Sequence, residues 1–248
     1  VTRRTFELVI TMPFLGSVDA FELGSAIKRI RPDLPVILLA HSLRASFLER
    51  SRSEGIDKIF IWCCEADLLL AIVKNTEDHR NVDSDTRKAM VRVIIYIEDS
   101  PFYRSLFLPL IYREVVRQTQ SVLDESLNER HRLLRMRARP KILMATGYEE
   151  ALALYRRYLN VGRPYDAVVM ELTVIGGMGG EECLRRLREL HPEVRAIVST
   201  GYDDPGRRRH FVDMGFAGFL AKPYRVGDLN HALQAVLGDR RPPFSPPS

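Results

Sequence analysis

The segment YDAVVMELTVIGGMGG, from Tyr165 to Gly180, joins a predicted strand to an acidic residue and a glycine-rich loop. Its apolar run, Ala167 to Met170, is typical of a buried strand, and an acidic residue, Glu171, follows at the carboxyl end of that run. A loop dense in glycine comes next. Ligands bind at the carboxyl ends of strands in open parallel sheets, so Glu171 is a candidate site residue. A surface glutamate that merely ends a strand is the alternative.

Composition predicts an ordinary globular protein. The 248 residues are 46% hydrophobic and 28% charged, a balance that allows a packed core and one or two domains. No apolar run approaches the roughly 20 residues of a membrane helix, and no signal peptide is recognisable, so we expect a cytoplasmic protein without a membrane partner. The three cysteines lack disulfide or zinc spacing. The chain opens with Val1 rather than Met, which leaves open that it is a fragment.

The net charge of +5 comes largely from two arginine-rich segments, Glu129–Arg139 and Arg207–Arg209. Neither segment carries the interleaved aromatic residues of a nucleic-acid site, and the first has apolar residues at helical spacing. Solvated helix faces are therefore the favoured interpretation, and no nucleic-acid partner is expected.

The first part of the chain alternates strands and helices, which predicts parallel strands joined by crossover helices. The predicted strands are 6–12, 35–40 and 58–62, and the predicted helices are 20–31, 45–54 and one that begins at 66, with a loop at 13–19. The polar segment 75–88 is interpreted as a domain boundary at the end of a helix.

The second part contains a complete series of five strand–helix units. The strands are predicted at 91–97, 141–145, 166–172, 194–200 and 218–221, and the helices at 101–137 (with a possible kink at Pro109), 149–159, 181–190, 205–214 and 226–237. The predicted domains are thus 1–88 and 89–238, followed by a disordered proline-rich tail, 239–248.

Residues 90–237 resemble a response-regulator receiver domain, as found in hybrid histidine kinases. The resemblance rests on the acidic pair Glu98 and Asp99 after the first strand, Glu171 after the third, Ser199 after the fourth and Lys222-Pro223 after the fifth. It implies an α/β, flavodoxin-like, doubly wound parallel sheet of five strands in the order 2-1-3-4-5.

The first unit resembles the last three strands of the same fold, an N-terminally incomplete copy. It also resembles the degenerate receiver-like segments that precede phosphoenolpyruvate-synthase-like domains. Aligned with the second unit, it has Thr11 at the acceptor position, Ala40 at the hydroxyl position and Trp62-Cys63 in place of Lys-Pro. No phosphoryl chemistry is therefore expected there.

Parallel strands should bring Glu98, Asp99 and Glu171 to one edge of the sheet, where three carboxylates need a cation beside them. Lys222, the phosphoryl-binding lysine of the family, supplies an ammonium group. The resemblance also implies Mg²⁺, held by Asp99, the acceptor-position carboxylate of Glu171 and the carbonyl of Thr173. A structural salt-bridge cluster is the alternative.

Glu171 departs from the family, which has a phosphoaccepting aspartate at this position. The glutamate carboxylate reaches about 1.5 Å further, which disfavours in-line attack on a phosphodonor. Two interpretations follow: an inert scaffold, or a domain biased towards its active-like state. In the second, Glu171 attracts the switch hydroxyl of Ser199, and Phe219, at the aromatic switch position, becomes buried.

The sequence therefore predicts a phosphorelay signalling protein with tandem receiver-like domains, a pseudo-receiver that acts by protein contacts and is not an enzyme. The expected partners are a histidine kinase, a phosphotransferase or an output domain, and a homodimer is possible because the strand 6–12 would be an open edge. The alternative is the regulatory N-terminal region of a larger phosphoenolpyruvate-synthase-like phosphotransferase or hybrid histidine kinase.

Overall fold

The computed structural model divides the chain into two compact units. One comprises Val1–Glu77 with Ser100–Pro109, and the other comprises Asp78–Asp99 with Leu110–Ser248. The structure describes residues 6–42, 47, 49–50, 54–89, 91–123, 139–159, 167–171, 179–201 and 205–237, so the predicted tail lies outside the described residues. The division differs from the predicted boundary after residue 88, because residues 78–88 group with the second unit.

The first unit is built on a parallel three-stranded sheet of β1 (Val9–Thr11), β4 (Val36–Ala40) and β5 (Lys58–Ile61), in the order β1-β4-β5. The predicted strand 6–12 is thus too long. The predicted loop 13–19 contains a small antiparallel hairpin, β2 (Phe14–Leu15) with β3 (Val18–Asp19).

Helix α1 (Ala20–Ile30) begins where Asp19 provides a side-chain cap. The amide of Phe21 donates to Asp19 Oδ1 at 2.8 Å, and this bond, together with Arg50, lowers the pKa of Asp19. The helix ends at Ile30, and its cap residue Arg31, the predicted end, is followed by Pro32. Most of the predicted helix 45–54 lies outside the described residues.

Two long helices follow, α2 (Ala66–Ala89) and α3 (Pro101–Leu123), and the division between the units falls inside both. Helix α2 continues through the polar segment that was predicted to end it. Helix α3 contains Pro109, as predicted, and the rest of the predicted helix 101–137 lies outside the described residues. No helix in the described part of the chain is long and apolar enough to cross a membrane.

The second unit contains five parallel strands in the order β10-β9-β8-β6-β7. If β6 is numbered as the first strand of the unit and the order is read from β7, this is the predicted order 2-1-3-4-5. The strands are β6 (Val93–Ile97), β7 (Lys141–Ala145), β8 (Ala167–Glu171), β9 (Ala196–Thr200) and β10 (Gly218–Ala221). The later helices are α4 (Tyr148–Leu159), α5 (Gly180–Leu190), α6 (Pro205–Asp213) and α7 (Val226–Leu237).

The core of the second unit explains the continuous apolar runs in the sequence. Every residue of β6, β7 and β9 is buried, as expected for parallel strands covered on both faces. Cys183 packs in this core, and its burial, helped by the charge of Glu149, raises the pKa of its thiol to about 12.

Candidate functional site

The parallel register places the ends of the strands of the second unit side by side. Ile97, the last residue of β6, is paired with Met170, and the next residue of β8, Glu171, is paired with Ser199. Ala221, the last residue of β10, is paired with Thr200. The predicted site residues follow or occupy these ends, so the sheet brings their backbones to one edge.

Glu98 and Lys222 form the best-defined contact at this edge. Lys222 Nζ lies 2.5 Å from Glu98 Oε2, and the two side chains are only 2% and 1% exposed. The backbone fixes both residues, because Glu98 N donates to Ala145 O and Lys222 N donates to Thr200 O. The Lys222–Pro223 peptide bond is cis.

This ion pair crosses the ends of two strands, because β8 and β9 lie between β6 and β10. Adjacent strands are about 4.8 Å apart, so the two side chains together span about 14 Å. A buried charge pair is held this way only when desolvation is offset by close contact and further hydrogen bonds. The pair therefore fixes a cation at the carboxyl edge of the sheet.

Ser199 is the second notable feature of the edge. Its side chain is 2% exposed, and its hydroxyl has no hydrogen-bond partner among the described residues. A buried hydroxyl without a partner is costly, so such a group calls for an acceptor close by. Glu171 is its register neighbour, but the structure describes only the backbone of Glu171.

Phe219 lies in β10 and is partly buried against the core of the second unit. Its ring stacks on Phe211 with the ring centres 6.0 Å apart, and the guanidinium carbon of Arg208 lies 4.9 Å from the centre of the Phe219 ring. The sequence did not predict this contact of Arg208, because Arg207–Arg209 was interpreted as part of a solvated helix face. Arg208 lies in α6 and Phe219 in the following strand, so no regular sequence spacing indicates this contact.

The predicted metal ligands are only partly described. Asp99 is half-buried at the edge, Thr173 lies outside the described residues, and the side chain of Glu171 is not described. Across the side chains that are described, no group of three or more His, Cys, Asp or Glu residues is arranged to hold a metal ion.

The arginine-rich segment Glu129–Arg139 was predicted to be a solvated helix face. Most of it lies outside the described residues, but Arg139 is described and is not solvated. Its side chain is 11% exposed and forms an ion pair with Asp78, which is fully buried.

Comparison with known proteins finds similarity to the receiver family in part of the chain. Residues 124–234 match the family model described as the response regulator receiver domain. The chain is 32% identical over 77 residues to the transcriptional regulatory protein QseB of Haemophilus influenzae, covering 31% of this chain and 34% of that protein. It is 37% identical over 75 residues to the photosynthetic apparatus regulatory protein RegA of Rhodobacter capsulatus, covering 30% and 40%.

The matches thus span about a third to two-fifths of the length of these curated relatives. Among solved structures, the non-phosphorylated HemR receiver domain of Leptospira biflexa aligns with a TM-score of 0.44 and 20% identity, over 62% of this chain and 99% of that one. A receiver domain protein of Clostridium thermocellum aligns with a TM-score of 0.43 and 17% identity, over 60% and 95%.

The family match begins after β6, although β6 lies inside the same five-stranded sheet. The long connection through α3 separates β6, with Glu98 and Asp99, from the matched segment. The response regulator receiver domain model thus matches residues 124–234, which is less than half of the 248-residue chain.

Proposed function

We propose that this chain is a two-component signalling protein whose receiver works through protein contacts and without phosphorylation, because Glu171 stands where receivers carry the phosphoaccepting aspartate. The observation that supports this most directly is the buried hydroxyl of Ser199. It lacks a partner among the described residues and is the register neighbour of Glu171. A carboxylate one methylene longer than aspartate suits that hydroxyl as an acceptor.

In this proposal, the carboxylate of Glu171 takes the place of the phosphoryl charge. Its reach, about 1.5 Å beyond that of aspartate, brings it towards Ser199, and the hydroxyl donates to it. The partly buried position of Phe219 against Phe211 agrees with the active-like alternative rather than with an inert scaffold. The receiver would then present its partner-binding surface constantly.

The ion pair of Lys222 with Glu98 fits the same proposal. It offsets the carboxylate of Glu98. The carboxylates of Glu171 and Asp99 are the proposed ligands of a divalent cation. Mg²⁺ is the proposed cation, with Asp99, Glu171 and the carbonyl of Thr173 as ligands, because an oxygen-only site that keeps several waters suits this ion.

The proposed partners are proteins: a histidine kinase, a phosphotransferase or an output domain. The first unit, with Thr11 at the acceptor position, would be a degenerate receiver-like copy that binds or supports and does no phosphoryl chemistry. We expect no enzymatic activity from either unit. The receiver would act by regulating the protein domain that it contacts.

Intact-mass measurement after incubation with acetyl phosphate and Mg²⁺ tests the proposal. We expect no phosphoryl adduct on the parent protein, whereas Glu171→Asp, which restores the shorter carboxylate, should gain one. Glu171→Gln is the matched control and should gain none. An adduct on the parent that disappears in Glu171→Gln would overturn the proposal.

A further inference from the structure

A cavity lies at the carboxyl ends of β1 and β4, which are neighbouring strands of the first unit. Its volume is about 310 Å³, and its described lining comes from the chain that follows β1 and the chain that follows β4. The lining residues are Met12, Pro13, Phe14, His41, Ser42 and Phe47. In open parallel sheets this edge is where ligands bind. The first unit therefore has a candidate ligand site of its own.

Phe47 gives the cavity a preformed wall. Its side chain is buried in the apolar core of the first unit, and its ring lies against the ring of Phe21 with the ring centres 6.0 Å apart. The guanidinium carbon of Arg50 in turn lies 4.1 Å from the centre of the Phe21 ring. Because this packing exists without a ligand, binding would cost little ordering of the wall.

The hairpin of β2 and β3 supplies further apolar lining. Its start is tied to the start of α1, because Ala20 N donates to Pro13 O at 3.4 Å. Phe14 is 70% exposed and Met12 is 40% exposed. Apolar side chains that are exposed beside a cavity gain free energy when a ligand removes them from water. The lining thus favours a ligand with an apolar body.

His41 and Ser42 give the cavity its polar lining. Both follow Ala40, the last residue of β4, and both are exposed. An imidazole N–H and a hydroxyl can each donate a hydrogen bond to a ligand oxygen. None of the described lining residues is acidic, so a ligand carboxylate would meet no like charge among them. The same edge of the second unit differs, since it carries Glu98 and Asp99.

The volume of the cavity limits the size of the ligand. Small-molecule sites in proteins usually measure roughly 300 to 1,000 Å³, and this cavity lies at the lower end of that range. We propose that it binds a small aromatic carboxylic acid with a single ring. The ring would lie against Phe14 and Phe47, and the carboxylate would accept hydrogen bonds from His41 and Ser42. This gives the first unit a binding role that is independent of phosphoryl chemistry.

Amide NMR titration of the full chain with sodium benzoate tests the proposal. We expect saturable shifts of the amide resonances of Ser42 and Phe47, with a dissociation constant on the order of millimolar. Acetate has the carboxylate without the ring, and benzyl alcohol has the ring without the carboxylate. Each should bind about tenfold more weakly than benzoate, because each loses one part of the lining contacts.

Two exposed lining residues provide the variants. Phe14→Ala and His41→Ala should each weaken benzoate binding about tenfold. Leu15→Ala is the matched control for the first variant, since Leu15 lies in the same hairpin, is 44% exposed and is not a lining residue. His231→Ala, which changes an exposed histidine of α7, is the control for the second. Both controls should keep the affinity of the parent, and circular dichroism checks that every variant is folded.

Three results would overturn the proposal. The first is the absence of saturable shifts at Ser42 and Phe47. The second is an affinity for acetate or for benzyl alcohol equal to that for benzoate, which would rule out this class of ligand. The third is an unchanged benzoate affinity in folded Phe14→Ala or His41→Ala. The comparison of the three ligands uses only the parent protein, so it decides the proposal even if a variant fails to fold.

Discussion

At the scale of single residues, the ion pair between Glu98 and Lys222 is the contact on which the carboxyl edge of the sheet depends. Lys222→Met leaves Glu98 buried without its cation, which should cost about 3–5 kcal/mol of the free energy of unfolding. Urea unfolding followed by circular dichroism measures this loss. The double variant Glu98→Leu, Lys222→Met should recover much of it, because neither charge is then left alone.

Arg185→Met is the control for this prediction. Arg185 pairs with Glu182 on the surface of α5, where its side chain is 57% exposed, so its loss should leave unfolding unchanged. Equal destabilisation by Lys222→Met and Arg185→Met would show that the buried pair has no special role.

The proposed cation gives a second prediction at this scale. Millimolar Mg²⁺ or Mn²⁺ should raise the melting temperature of the second unit, since a ligand that binds only the folded state stabilises it. Asp99→Asn should weaken the response, and Asp228→Asn, a carboxylate in the first turn of α7, should not. A melting temperature unaffected by either metal would favour the salt-bridge alternative.

The sequence predicted that Glu98 and Lys222 lie at one edge, because strand ends converge in any parallel sheet. It did not predict that the two contact each other. Which carboxylate Lys222 contacts depends on how the side chains run across the ends of β8 and β9. The stacking of Arg208 on Phe219 was not predicted either, because it also depends on side-chain conformations.

At the scale of elements, the end of α6 gives a prediction of its own. Gly215 follows this helix with φ +89°, and Arg188 of α5 donates to Met214 O and Gly215 O, both at 2.7 Å. A Cβ atom on Gly215 would lie 2.1 Å from a guanidinium nitrogen of Arg188. Gly215→Ala should therefore lower the free energy of unfolding by about 1–3 kcal/mol, measured by urea unfolding.

Gly227→Ala is the matched control for this element. Gly227 lies in the first turn of α7, and a Cβ atom there would meet no atom within 4 Å. This change should be neutral or slightly stabilising. If both variants were equally stable, the contact of Arg188 would not constrain the end of α6.

Helices and strands were predicted correctly where the sequence has a strong apolar pattern. They were predicted wrongly where the buried side chains are polar. Strands such as β6 and β9 were found because they are continuous apolar runs. The segment 75–88 was interpreted as a boundary because it is polar, yet the structure buries Asn75, Asp78 and Thr86 within α2. A helix that packs through satisfied polar side chains leaves no apolar stripe in the sequence.

At the scale of the whole molecule, strand order was predictable and the division into units was not. Parallel strands with crossover helices allow few topologies, and the order 2-1-3-4-5 is one of them. The division falls inside α2 and α3, where the sequence continues as helix and gives no linker signal. The predicted homodimer through the edge of β1, near the exposed Phe6 and Phe14, stays a prediction.

We propose above that Glu171 already holds the receiver in its phosphorylation-independent state. Amide NMR spectra before and after addition of beryllofluoride and Mg²⁺, a phosphoryl mimic that binds aspartate, test it most directly. In the parent protein, the resonances of Ser199 and Phe219 should match those with Mg²⁺ alone. In Glu171→Asp, the same resonances should differ from those of the parent with Mg²⁺ alone. They should move towards the parent positions when beryllofluoride is added. Equal movement of these resonances in the parent and in Glu171→Asp would contradict the claim.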